Sequence, residues 1–229
     1  MHFGALSNAG ASPPAMAVIK PYGPEHFPQL AEDVRLVVQN GEIVAVPTET
    51  YYGLGVNPFS AQAVDRLFQL KGRERHKPIL ILIADQAHLS RLVVEIPPVA
   101  AVLMEAFWPG PLTILFRAQP SLPAQLTGES GAIGVRLSSC APLNALLKSV
   151  GPLTGTSANQ SGEPPACSAQ EVDRLLGHAV KLIVDAGRTP GGLPSTVLDP
   201  REPVHLIREG ALSRQTIQNV LQTRGIRLA

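Results

Sequence analysis

The chain has 229 residues, enough for one domain whose core buries most of its apolar surface. Hydrophobic residues make up 45% and charged residues 16%, which excludes a disordered chain and a coiled coil. A net charge of +1 argues neither for nor against nucleic acid, so any basic site has to be local, and 4% aromatic residues disfavour a base-stacking RNA platform.

Residues 1–17 hold few large apolar side chains and several Gly, Ser and Pro. They are expected to form a disordered arm ahead of a single domain over 18–229. No Lys or Arg precedes Lys20 and no apolar h-region follows, so the arm does not read as a signal or transit peptide. Phe27, Leu30, Val34, Val37 and Val38 recur at helical spacing, and Asn40-Gly41 ends that helix. Glu42–Val46 reads as a short buried strand. Ser60 is a good N-cap for a helix carrying Val64, Leu67, Phe68 and Lys71, with Gly72 as its stop. Ile79–Ile83 is a continuous apolar run, hence a strand covered on both faces. Asp85 caps a short helix through Leu92, and Pro98–Phe107 is helical. Leu112–Arg117 and Ala132–Leu137 are strands around a Pro/Gly-rich excursion. Leu143–Val150 is a helix, and Leu153–Thr156 a strand. Ser168 and Glu171 make a capping box before the next helix. Val180–Val184, Ser195–Leu198 and Val204–Ile207 are strands, and Ser213–Gln222 closes the chain as a helix. The class is α/β or α+β on a large mixed sheet.

Two cysteines, Cys140 and Cys167, stand far apart and suggest neither a metal pair nor a disulfide scaffold. A reducing cytoplasm is the default compartment. The longest apolar stretch, Pro78–Ala84, is too short to cross a bilayer. There is no G-x-S-x-G, no P-loop and no complete G-x-G-x-x-G.

The chemistry-bearing segments follow predicted strands, where open α/β sheets bind ligands. Pro47–Gly55 (PTETYYGLG) brings hydroxyls, a carboxylate and two tyrosines. An ordinary polar turn with tyrosine packed beneath it would read the same way. Lys71–Pro78 (KGRERHKP) places four cations within seven residues, a composition suited to polyphosphate. A solvated helix C-terminus also favours cations. Thr154–Gly162 offers hydroxyls, an amide and glycines, as does any turn rich in Asn and Ser. Arg136 lies inside an apolar strand, so it is either in an internal salt bridge or aimed at a ligand. Ser195 and Arg208 flank two further strands. Phe107–Pro111 reads as a rigid turn packed by Trp108. With no nucleophile–base pair and no metal cage in view, the set suits a nucleotide held by positioning and charge.

PTETYYGLG, KGRERHKP, FWPGPLT, GVR, TSANQSG, STV and IREG occur in this order between Pro24 and Gly210. In this the chain resembles the YrdC-type threonylcarbamoyl-AMP synthases. The resemblance implies a YrdC-like twisted mixed sheet with surrounding helices and a wide, positive concave cleft. It also implies an enzyme, a nucleotidyltransferase. L-threonine, bicarbonate or CO2 and ATP would give threonylcarbamoyl-AMP and pyrophosphate, for threonylcarbamoyl modification of tRNA. A complex with a Kae-type subunit would receive the product. Matched by motif, Lys71, Arg73, Ser157 and Asn159 would line the ATP and carbamate region as catalytic residues. Lys77 would meet phosphate, and Arg208 the nucleotide. Thr48, Thr50, Arg136 and Ser195 would form the threonine site, with Arg136 on the carboxylate. Mg2+ is expected with ATP, and no protein metal site.

Some positions depart from the pattern. Glu74 stands where proline often follows Lys-x-Arg, and Pro194 where many relatives have a carboxylate. Leu82 replaces a histidine found in some members. The second domain of the longer synthases is expected to have no counterpart here. Two alternatives belong to other classes: an RNA-binding module, and a YciO-type paralogue with weak or different activity; for the enzyme, the resemblance leaves room for a weak tRNA contact. Glu74 and His76 speak for the paralogue, and the intact Ser157-Ala158-Asn159 motif against it.

Overall fold

The computed structural model describes residues 16–72 and 79–229. The expectations for residues 1–15, and those for Arg73, Glu74, His76 and Lys77, lie outside the described residues. Among the described residues, no helix is long and apolar enough to cross a membrane.

Strand β1 (Val18–Pro21) precedes helix α1 (Phe27–Gln39), which has proline in its first turn. A missing N–H costs nothing there. Leu30, Ala31, Val34 and Val38 bury one face of α1. Strands β2 (Val44–Val46) and β3 (Gly53–Gly55) come next, then helix α2 (Ala61–Lys71). Ser60 caps α2 by accepting the Ala63 N–H at 3.3 Å, and Gly72 stops it in the left-handed conformation. Strand β4 (Leu80–Ile83) leads through a 3-10 turn to α3 (Leu89–Leu92) and then α4 (Pro98–Phe107). Strand β5 (Leu112–Arg117), short helix α5 (Ala124–Thr127), strand β6 (Ala132–Leu137) and helix α6 (Ala141–Val150) follow. The chain continues through β7 (Leu153–Thr154), β8 (Thr156–Ser157), α7 (Ala169–Leu176) and β9 (Leu182–Asp185). It ends with β10 (Thr196–Asp199), β11 (His205–Arg208) and α8 (Arg214–Gln222).

Periodicity missed β1, β3 and α5. Strand β3 is Gly-Leu-Gly, whose composition signals a turn, and its pairing partners make it a strand. The predicted cap of α7 is present, with Ser168 Oγ accepting the Glu171 N–H at 3.2 Å. Glu171 reaches past the cap, however, to accept from the Cys167 N–H at 2.7 Å.

The mixed sheet is divided in two. A five-stranded sheet has the order β1-β9-β2-β3-β8, and a six-stranded sheet the order β11-β10-β5-β6-β4-β7. Both combine parallel and antiparallel pairs. The run Leu153–Thr156, expected as one strand, supplies both sheets. Strand β7 pairs with β4, and β8 with β3. Gly155 makes the crossing, and its N–H donates to the Leu80 carbonyl at 2.7 Å. A Cβ at Gly155 would stand 2.6 Å from Cγ and Cδ1 of Leu82. We therefore expect Gly155→Ala to cost about 1–3 kcal/mol by overpacking. Thermal melting checks this, and the double variant with Leu82→Ala should lose less than the sum of the two single losses.

Side-chain alternation in the six-stranded sheet positions the site. Ile81, Ile83, Ile114, Phe116, Ile133 and Val135 point into the main core. The intervening residues Leu80, Thr113, Leu115, Gly134 and Arg136 face the other way, toward a cavity. The apolar run from Ile79 is thus covered on both faces because Leu82 packs in a second core with α1 and α6 residues. Trp108 is structural: its ring is buried and its Nε1–H donates to the Leu112 carbonyl at 2.8 Å.

Candidate functional site

The two sheets enclose a cavity of about 270 Å³. The inner face of the six-stranded sheet forms one wall. The turn after β2, together with β3 and β8, forms the other.

The Thr48–Tyr52 turn is self-supporting. Thr48 Oγ1 accepts the N–H groups of Thr50 and Tyr51 at 3.1 and 3.2 Å and donates to the Tyr51 carbonyl at 2.7 Å. The Thr50 hydroxyl lies 3.1 Å from that of Thr48, and both residues line the cavity. Both tyrosines reach across to the segment before β10. Tyr51 donates to the Gly192 carbonyl, and Tyr52 to the Gly187 carbonyl at 2.8 Å. Burial pushes the Tyr52 phenol up to about 12, so it remains a donor at neutral pH. The Gly191 N–H donates to the Thr50 carbonyl at 2.7 Å. Gly191 and Gly192 adopt φ of 70° and 84°, which suits the tight path of this segment over the turn.

Ser195 and Arg208 close one end of the cavity. Ser195 Oγ lies 3.0 Å from Thr113 Oγ1. Arg208 donates to the Ser195 carbonyl through Nε at 3.2 Å and Nη2 at 2.9 Å. The two residues, read from separate motifs, thus act as one element.

Arg136 is 4% exposed and lines the cavity. Its side chain stands beside a carboxylate while the residue lines the cavity. Glu49 Oε1 stands 3.6 Å from its Nε, too far for a hydrogen bond. Glu49 Oε2 accepts from the Ser138 hydroxyl. Burial pushes the Arg136 guanidinium below its ordinary value, and Glu49 opposes that shift. Since an arginine starts so high, it stays charged at neutral pH.

Lys71 reaches from the end of α2 to the Ser157–Asn159 turn. It is 4% exposed, and its Nζ donates to the Ser157 carbonyl at 2.7 Å, the Asn159 carbonyl at 2.5 Å and Asn159 Oδ1 at 2.7 Å. Ser157 Oγ donates to Asn159 Oδ1 at 2.6 Å, and Asn159 Nδ2 to the Glu163 carbonyl. Ser161 Oγ returns a bond to the Lys71 carbonyl at 2.9 Å. Of these residues Ser157 is on the cavity wall, and Lys71 and Asn159 stand behind it.

The fold therefore gathers Thr48, Thr50, Arg136, Ser157, Ser195 and Arg208 around one cavity, with Lys71 and Asn159 bonded to its wall. Leu82 lies beneath Gly155 and is not among the residues that line the cavity. Thr113 and Gly134 fall within the FWPGPLT and GVR motifs but received no place in the site, and the Glu49–Ser138 support of Arg136 was not foreseen. Strand alternation would have located the first two, since each shares the inward face with Arg136. Contacts between distant segments, such as Ser138 with Glu49, have no local signature.

A family model for Sua5/YciO/YrdC, described as telomere recombination, matches residues 36–210. A curated threonylcarbamoyl-AMP synthase of Pyrococcus abyssi is 38% identical over 186 residues, covering 80% of this chain and 55% of that protein. Another, from Thiobacillus denitrificans, is 37% identical over 163 residues, covering 71% of this chain and 86% of the relative. A crystal structure of P. abyssi Sua5 complexed with L-threonine superposes with a TM-score of 0.85 at 33% identity, over 93% of this chain and 62% of that one. The chain thus spans little more than half the length of the Pyrococcus protein. The cavity, its motifs and these similarities lead to one assignment: the chain belongs to the Sua5/YciO/YrdC family.

Proposed function

We propose that the protein is an L-threonylcarbamoyladenylate synthase, a nucleotidyltransferase that forms threonylcarbamoyl-AMP and pyrophosphate from L-threonine, bicarbonate or CO2 and ATP. The observation that carries this reading is Arg136. It is a buried cation on the wall of a hydroxyl-lined cavity, paired at 3.6 Å with Glu49 on one edge, and its side chain makes no hydrogen bond to any described residue. A buried guanidinium with donors left unfilled on its cavity side suits an anionic ligand there. The synthases similar to this chain, and the threonine bound in the P. abyssi structure, supply a ligand class that satisfies it.

In this reading Arg136 binds the threonine carboxylate, and Thr48, Thr50 and Ser195 surround the rest of the amino acid. The neutral threonine amine adds to CO2, forming a C–N bond and releasing one proton to water. A carbamate oxygen then attacks the α-phosphorus of ATP, and pyrophosphate leaves. Phosphoryl chemistry of this kind depends on positioning and charge neutralisation. Ser157 would offer its hydroxyl from the wall, and Lys71 and Asn159 hold Ser157 in place. Arg73 and Lys77 are assigned to the phosphates, and Arg208 to the nucleotide. Magnesium would arrive with the substrate as MgATP, held on phosphate oxygens and waters. The product would pass to a Kae-type tRNA-modifying complex in the cytoplasm.

The test is pyrophosphate release with each substrate omitted in turn. Release should need L-threonine, bicarbonate and ATP together, and should fall to background without any one of them. Release that ignores threonine would sink the assignment.

A further inference from the structure

The Arg136 guanidinium has two unlike sides. Its Nε is sealed from solvent and has no hydrogen-bond partner among the described residues. Nη1 and Nη2 are not among the sealed atoms, and the residue lines the cavity. A ligand entering the cavity can therefore satisfy the Nη side and cannot reach the Nε side. The group facing Nε is Glu49 Oε1, itself sealed and without a hydrogen-bond partner, 3.6 Å away. The other carboxylate oxygen is held by the Ser138 hydroxyl, and Ser138 Oγ in turn accepts the Cys140 N–H at 3.1 Å. Glu49 is thus fixed in place from a segment that follows β6 directly. It is not itself among the residues that wall the cavity.

We propose that Glu49 is a positioning residue, which holds Arg136 by its Nε edge so that both Nη groups stay turned toward the cavity for a substrate carboxylate. This rests on the reading of Arg136 as the carboxylate-binding residue. The physical case has two parts. A buried cation without a counter-ion would rotate or draw in water to be compensated, and either change misaligns the fork that grips a carboxylate. Glu49 supplies the compensation from the sealed side, which leaves the open side to the ligand. The ion pair stays short of hydrogen-bond distance because Ser138 holds the carboxylate by its other oxygen, so a small rotation of Glu49 can close the contact when a second carboxylate shares the guanidinium.

The experiment is calorimetric titration of the full chain with L-threonine, L-threoninamide and ATP. Glu49→Gln keeps the shape and removes the charge. It should weaken L-threonine roughly tenfold, of the size of one charged hydrogen bond. L-threoninamide lacks the carboxylate, so its binding should not change, nor should that of ATP. In an Arg136→Ala background, Glu49→Gln should have no further effect on threonine. Ser138→Ala, which frees Glu49 but keeps its charge, should show a smaller loss in the same direction and serves if Glu49→Gln does not fold. The proposal is overturned if Glu49→Gln binds threonine as the unaltered protein does, if it weakens threonine and threoninamide equally, or if its effect persists without Arg136. A different result marks failure of the underlying reading: the unaltered protein binds no threonine, or binds it equally well as Arg136→Ala. In that case the Arg136 Nε–H signal in nitrogen-15 NMR still decides the brace. A resonance that is sharp in the unaltered protein and shifted or broadened in Glu49→Gln supports it, and an unchanged resonance overturns it.

Discussion

Arg136→Ala is expected to raise the dissociation constant for L-threonine by roughly 10- to 100-fold, with ATP binding nearly unchanged. The magnitude follows from the loss of a charge-assisted contact made in a buried setting, where water competes poorly for the carboxylate. The selectivity follows from place. Arg136 projects from the middle of the six-stranded sheet, whereas Arg208 stands at the cavity end and is bonded to Ser195. Initial rates of pyrophosphate release, with threonine and ATP varied separately, provide the check. Melting temperature separates the binding loss from simple unfolding, because removing Arg136 also leaves Glu49 without its counter-ion. If only the ATP constant moved, the two substrates would have been assigned to the wrong ends of the cavity.

Lys71→Ala is expected to lower kcat by on the order of 100-fold and to lower the melting temperature as well. The two effects share a cause. The Lys71 ammonium holds the Ser157 and Asn159 carbonyls and the Asn159 side chain together. Without it, buried acceptors lose a charged donor, at a cost of about 1.5–3 kcal/mol. The Ser157–Asn159 turn then loosens, and under the proposed function a displaced Ser157 hydroxyl would no longer meet the reacting oxygens. The threonine KM should change less than kcat, since the Thr48–Tyr52 turn meets the turn that Lys71 holds through the backbone, where the Ala158 N–H donates to the Tyr52 carbonyl at 2.9 Å, and its own hydroxyl bonds are internal. A Lys71→Ala protein with intact kcat would reduce this residue to a solvated helix end, although its burial already argues against that. A protein that loses kcat with no change in melting temperature would instead favour direct contact between Lys71 and phosphate.

The two substitutions differ in how far sequence alone could have carried them. Arg136 was legible because a cation in an apolar strand is a conflict between pattern and burial, and such conflicts mark sites. Lys71 was legible as part of a basic run, but its role was not. A lysine at a helix C-terminus has the same local signature whether it meets solvent, phosphate or a neighbouring turn. Only the packing of β8 beside the end of α2 turned it toward Ser157 and Asn159.

Much of the fold followed from local chemistry. Ser60, Gly72 and Asp85 bound their elements where capping and left-handed conformations require them. The α4, β5 and β6 boundaries coincided with their apolar runs, because hydrophobic periodicity and proline placement are read within a few residues. The ordered motifs also sufficed for the family, since their order along the chain survives without coordinates. What the tertiary structure decided was pairing. It split the mixed sheet in two at Gly155, since a residue without Cβ is what lets the backbone pass Leu82. It made Gly53–Gly55 a strand through partners far away in the chain. It also set Glu49 and Ser138 against Arg136, across nearly ninety residues of sequence. Interactions of that range depend on how sheets stack and not on what stands next to what, so no local pattern records them.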